Sequence, residues 1–275
     1  MIRAELMKLT TVGATKVAAA VGIIGLLATQ LLFFWLLPAL ASGAIAITGE
    51  PGIAAELGEF DPGSFAFQYS SLSLLGSNAG AGSIGVALIA VLSIGVLAAT
   101  TDYRFGGIVA AALASPRRAR ILGGKVAATA VVVAVMAVAY AVVCLGVLLS
   151  STTLSGVDLV VGWGDIAGAI GRGVVVLVLL GLLGLAIGVL VRSQLAGFLV
   201  LIGVVLVEPI LQSVLLLVGE APAWSQYLPL ALAQAGLADP ASPAALSPLV
   251  ALVALAALAG VALAAAWAVL RRRDL

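Results

Sequence analysis

The chain has 275 residues, 63% of them apolar and 9% charged, with a mean hydropathy of +1.28. Soluble domains run at about 45–50% apolar and about 25% charged, so this composition excludes a soluble globular protein and predicts an all-α polytopic membrane protein. The net charge of +1 is uninformative as a sum, because the signs separate along the chain.

Residues 1–16 form the first predicted unit. Ile2, Leu6 and Leu9 fall on one side of a helix, with Arg3, Glu5 and Lys8 on the rest, the spacing of a short amphipathic helix at a membrane interface. A charged N-terminal flank without helix is the alternative. No small-residue cleavage site follows, so the N-terminus is read as uncleaved. Apolar runs then predict six spans, about 17–40, 79–100, 126–149, 173–191, 195–218 and 248–270, each of bilayer-crossing length. Together they make residues 1–275 one transmembrane domain.

Between the spans, residues 42–78 carry Glu50, Glu56, Glu59 and Asp61 without a single base. Residues 150–165 carry Asp158 and Asp165, also without one. Residues 219–247, with Pro222, Pro229, Pro240 and Pro243, predict broken helices that are tolerable at membrane depth only when packed on protein. Residues 101–125 are the opposite case, gathering Arg104, Arg117, Arg118, Arg120 and Lys125 around a lone acid, Asp102. There Ser115-Pro116 is a helix start signal, Ser as N-cap and Pro at the first helical position, so a short helix over 103–114, a break and a second helix from Pro116 are expected. Mapped on six spans, twelve of the thirteen Lys and Arg fall on one side and only Arg172 on the other. The positive-inside rule then puts both termini and the 101–125 loop in the cytoplasm. The arginines either set topology and touch anionic lipid or hold a protein partner as well.

Several chemical motifs resolve into packing. Gly80-Ala81-Gly82-Ser83-Ile84-Gly85 spells GxGxxG, but no strand precedes it as a dinucleotide site requires; close helix packing is the better reading. Gly184 and Gly188 carry the same small-residue signal. Gly162-Trp163-Gly164-Asp165 has the GxGD form of intramembrane aspartyl proteases, yet no other aspartate lies within a span to pair with Asp165, and that chemistry needs two carboxylates. The chain has no histidine, which removes histidine metal sites and Ser/His or Cys/His dyads. Its single cysteine, Cys144, lies in an apolar run and is read as packing. No GxxxxGK[ST] phosphate loop occurs, so no catalytic residue and no bound metal or cofactor is expected. Inside the fifth span stands Glu208, followed by Pro209 and, one turn on, Gln212. An acid at mid-membrane costs about 2.5–3.5 kcal/mol on insertion scales. Glu208 and Gln212 are therefore pathway candidates, with a packing lock as the alternative for the acid.

Taken together, the residues resemble a family. The opening segment through Lys8-Leu9, then Asp102-Tyr103-Arg104-Phe105-Gly106, then Pro116-Arg117-Arg118 with Lys125, then Tyr227-Leu228-Pro229 and the tail Arg271–Asp274 are similar to the permease subunits of type-2 ABC exporters. Two positions depart from the family pattern: Asp102 stands for a glutamate and Gly107 for a threonine. The resemblance implies a six-helix permease in a bacterial cell membrane that works as a dimer, either of two copies or with a paralogue. It implies two separate ATPase subunits, which bind ATP and Mg, so this chain would be no enzyme. It also implies an elbow helix at residues 1–16 and a coupling segment at 101–125, with Asp102, Tyr103, Arg104, Phe105, Gly106, Pro116, Arg117, Arg118 and Arg120 meeting the ATPase. No nucleic acid enters this reading. The competing expectation is an ATP-independent small transporter with Glu208 carrying the proton.

Overall fold

The computed structural model describes residues 2–41, 61–76, 85–104, 118–219, 222–241 and 246–272. Among them the secondary structure is helical, without a strand, as expected of a backbone whose polar groups must be satisfied within each span. Six helical stretches are long and apolar enough to cross a bilayer: Gly13–Leu40, Val86–Tyr103, Ala119–Ser155, Trp163–Val191, Gln194–Leu215 and Pro248–Arg272. The chain is an all-α polytopic membrane protein.

It begins with α1 (Ile2–Thr11) and α2 (Gly13–Leu31). A π turn over Leu32–Leu36 then leads to α3 (Leu37–Ala41). At the end of that turn the Leu37 N–H reaches back five residues to the Leu32 carbonyl. Pro38, with no N–H to donate, comes next; the wider turn absorbs the register change just before it. A short α4 (Phe65–Ser70) starts at Ser64, whose hydroxyl accepts the Phe67 N–H as an N-cap. Then come α5 (Val86–Arg104), α6 (Arg118–Ser155), α7 (Trp163–Val191) and α8 (Gln194–Val218). In the proline-rich stretch lie a 3-10 turn at Ala223–Tyr227 and the short α9 (Pro229–Leu237), which Pro229 opens at the first helical position. The last span is α10 (Pro248–Arg272).

The centre of the bundle is α5. In its most apolar stretch 83% of residues are buried inside the chain, against 17% for α8. Small residues make this possible. A Cβ on Gly95 would stand 2.1 Å from the Gly181 carbonyl oxygen, and one on Gly184 only 2.3 Å from that of Leu92. On Gly188 it would come 2.7 Å from the Ala99 Cβ. Backbone therefore meets backbone where α5 crosses α7, the small-residue packing read from Gly184 and Gly188. By contrast α8 keeps large apolar side chains exposed, including Leu195, Leu199 and Leu217. Such a surface is stable against lipid and not against water.

Buried apolar residues form a central cluster with a smaller one at either end. One end joins Leu9 of α1 to Ala98, Leu122, Val189 and Leu270. The other joins Tyr69 and Leu72 to Leu148, Val161 and Ile166. Of the N-terminal helix, Glu5 and Leu9 are buried, while Ile2 and Met7 are exposed. It docks on α6 through the Glu5–Leu9 face, rather than presenting Ile2, Leu6 and Leu9 together to lipid.

Candidate functional site

A charge within an apolar helix is tolerated when it is paired, and at the α1 end of the bundle four such charges meet. Asp102, in the last turn of α5, receives both Lys8 of α1 and Lys125 of α6 on its two carboxylate oxygens. Lys8 also reaches Glu5 at 3.2 Å, and Lys125 reaches Glu5 at 3.4 Å. The Lys125 ammonium donates a third bond, to the Ala98 carbonyl at 3.0 Å. Two acids and two bases balance to zero, and Asp102 and Lys125 are 6% and 5% exposed. Burial pulls the Lys8 ammonium down, but its hydrogen bond to Asp102 and the charges of Glu5 and Asp102 outweigh burial and hold it above the usual lysine value. The cluster clamps α1 onto the helices that enter and leave the 105–117 segment.

This arrangement sorts the coupling residues expected from the sequence. Asp102 faces inward to two lysines of its own chain. Tyr103 is half-buried, and the Arg192 guanidinium lies 5.4 Å from its ring centroid. Arg104 ends α5 and Arg118 begins α6. Arg120 is exposed and lines a recess of about 620 Å³ with Ile2, Arg3, Gly123 and Gly124. Phe105, Gly106, Pro116 and Arg117, the helix expected over 103–114 beyond Arg104, and the Ser115-Pro116 helix start lie outside the described residues. The sequence shows Lys8 on the polar side of a short helix and Lys125 among the loop bases, but not that both meet one carboxylate. The available signal was a lone acid among bases, with a lysine one turn inside an apolar run.

Glu208 is 5% exposed. Its Oε1 accepts the Ala231 N–H at 2.7 Å and the Gln212 side-chain amide at 3.3 Å, whereas Oε2 is buried with no hydrogen-bond partner among the described residues. Ala231 lies in the first turn of α9, so the carboxylate caps that helix and ties α8 to the proline-rich stretch. A carboxylate there meets the helix dipole favourably. Gln212 is half-buried beside it.

Amides do the holding at the other end. The buried Gln30 of α2 donates to the Ser71 and Ser73 carbonyls at 2.9 and 3.3 Å and to Cys144 Sγ at 3.2 Å. Gln68 donates to the Asp158 carbonyl at 2.9 Å and accepts the Val160 N–H at 2.8 Å. Arg172 donates to the Tyr69 hydroxyl. Among the described residues no group of three His, Cys, Asp or Glu is placed to hold a metal ion. No family model matches the chain, and no curated protein matches it in sequence.

Proposed function

We propose that the chain is the permease subunit of a type-2 ABC exporter in a bacterial cell membrane. In this reading it pairs with a second permease and is driven by two separate ATPase subunits that dock at residues 101–125. The observation that supports it best is the Glu5–Lys8–Asp102–Lys125 cluster. A pushed loop does mechanical work only if its two ends are stiffly joined to what must move, and this cluster joins both flanking helices to α1. The clustered bases at the α1 end favour a cytoplasmic side for it by the positive-inside rule, the side on which an ATPase would dock. The docking contacts fall to Arg104, Arg117, Arg118 and Arg120 together with Phe105, Gly106 and Pro116. Asp102 acts behind them as the anchor, and Tyr103 sits beside Arg192.

An ATP-independent transporter that moves protons through Glu208 is the second reading, favoured by the unpartnered Oε2. Substitution separates the two. Under the first, Glu208→Gln keeps the cap on α9 through its amide oxygen and leaves ATP-driven transport; under the second it abolishes transport. The main test is affinity purification of this chain from native membranes in mild detergent. An ABC-type ATPase should copurify, and the pair Arg117→Glu and Arg118→Glu should release it. An unchanged yield of ATPase with that double variant would remove the docking role of the loop.

A further inference from the structure

Arg192 is the only described non-glycine residue with positive φ, at 60°. It caps the C-terminus of α7, its N–H bonding the Gly188 carbonyl at 2.9 Å. Glycine or asparagine is the ordinary choice there, since an L side chain in the left-handed region costs about 1–2 kcal/mol. The side chain so placed lines a cavity of about 580 Å³ together with Tyr103, Ser193 and Gln194 and an apolar wall of Leu195 and Phe198. Its guanidinium sits by the Tyr103 ring, and both Nε and Nη2 are buried with no acceptor among the described residues. Buried guanidinium donors without acceptors are rare in native structures and call for an explanation. The neighbouring carboxylate, Asp102, is occupied by Lys8 and Lys125, and none of the described lining residues is acidic. The cavity also borders the N-terminus of α8, a helix of 25 residues, whose positive dipole end faces the opposing C-terminal ends of α5 and α7.

We infer that this cavity is a binding site for a phosphate-type oxyanion, with Arg192 as its donor and the α8 N-terminus beside it. The cavity lies at the joint of two spans, with Leu195 72% exposed at its edge. That position suits the headgroup of a phospholipid whose tails run along α8; a soluble phosphate has the same chemistry. The inference rests on this geometry and not on the transport reading.

Thermal unfolding of the detergent-purified full chain tests it, with dihexanoyl phosphatidylglycerol and inorganic phosphate as separate probes and Arg192→Gln and Arg192→Gly as variants. Wild type should be stabilised saturably by one of the probes, with about tenfold weaker apparent affinity in Arg192→Gln, the size of a lost charge-assisted bond. Stabilisation by the lipid alone identifies a headgroup site, and stabilisation by inorganic phosphate identifies a soluble anion. Arg192→Gly, which relieves the backbone strain, should unfold no lower than wild type without a probe and yet lose the response. If neither probe stabilises wild type more than both variants, the inference is overturned.

Discussion

The two ends of the bundle are closed by different chemistry. At the α1 end, four alternating charges tie α1, α5 and α6 together. At the opposite end, neutral amides do most of the equivalent work, Gln30 holding the Ser71–Ser73 stretch against α2 and α6 and Gln68 holding residues 158–160, with Arg172 on the Tyr69 hydroxyl as the one charged contribution described there. Ion pairs are strong only while every member is present, since an orphaned buried charge costs far more than an orphaned carbonyl. One end is thus brittle to substitution and sensitive to charge, and the other is tolerant. A clamp whose members are coupled electrostatically suits the end that would be pushed and pulled.

Breaking the charged end should give the largest effect. Asp102→Ala leaves Lys8 and Lys125 facing each other and should lower stability by about 3–5 kcal/mol, read by denaturant unfolding in detergent. Replacing both partners, Asp102→Leu with Lys125→Met, leaves the Glu5–Lys8 pair neutral and should recover at least half of that loss. A double variant no better than the single would mean that the charges do not act as one unit. Gln30→Leu, at the other end, should cost less, about 1–3 kcal/mol for carbonyls left without a donor, and its cost should not change between low and high salt. The smallest effect is that of pH. Because the Lys8 pKa is raised in the folded protein, its contribution is complete below the unfolded lysine value of roughly 10.4. It is lost as the pH climbs through the folded value above that. Hydrogen exchange at strongly alkaline pH should therefore rise first in α1, relative to wild type at neutral pH, while Gln30→Leu should not alter that pH dependence. Equal loosening of both ends would contradict the contrast.

The same contrast explains what could be read from the chain. All six spans were legible, because hydropathy is a local property of each segment. Their ends were not, wherever a charge found a distant partner. The second span was expected to stop at 100, yet α5 runs through Asp102 because two lysines neutralise it. The third span was expected from 126 on a helix running in from Pro116, and the described helix indeed carries Lys125, beginning at Arg118. The fourth was expected from 173, but Arg172 is held by Tyr69 and α7 extends back to Trp163. Gly184 and Gly188 were legible as packing residues, because close approach demands small side chains wherever it occurs. Gln30 and Gln68 drew no notice, since their partners are backbone groups 41 and 90 residues away. Glu208 stood out as a mid-membrane acid, but its cap on α9 depends on a fold that brings Ala231 to it.

The proposal that the bundle is driven from its charged end is tested most directly by crosslinking in native membranes. Cys144 is fully buried and Arg120 is exposed, so Arg120→Cys provides a single accessible thiol within the 101–125 segment. A thiol-to-amine crosslinker should join this position to an ABC-type ATPase, identified by mass spectrometry, with a yield that changes when ATP is added. Crosslinks to lipid or to this chain alone, with transport activity retained in the same membranes, would contradict it.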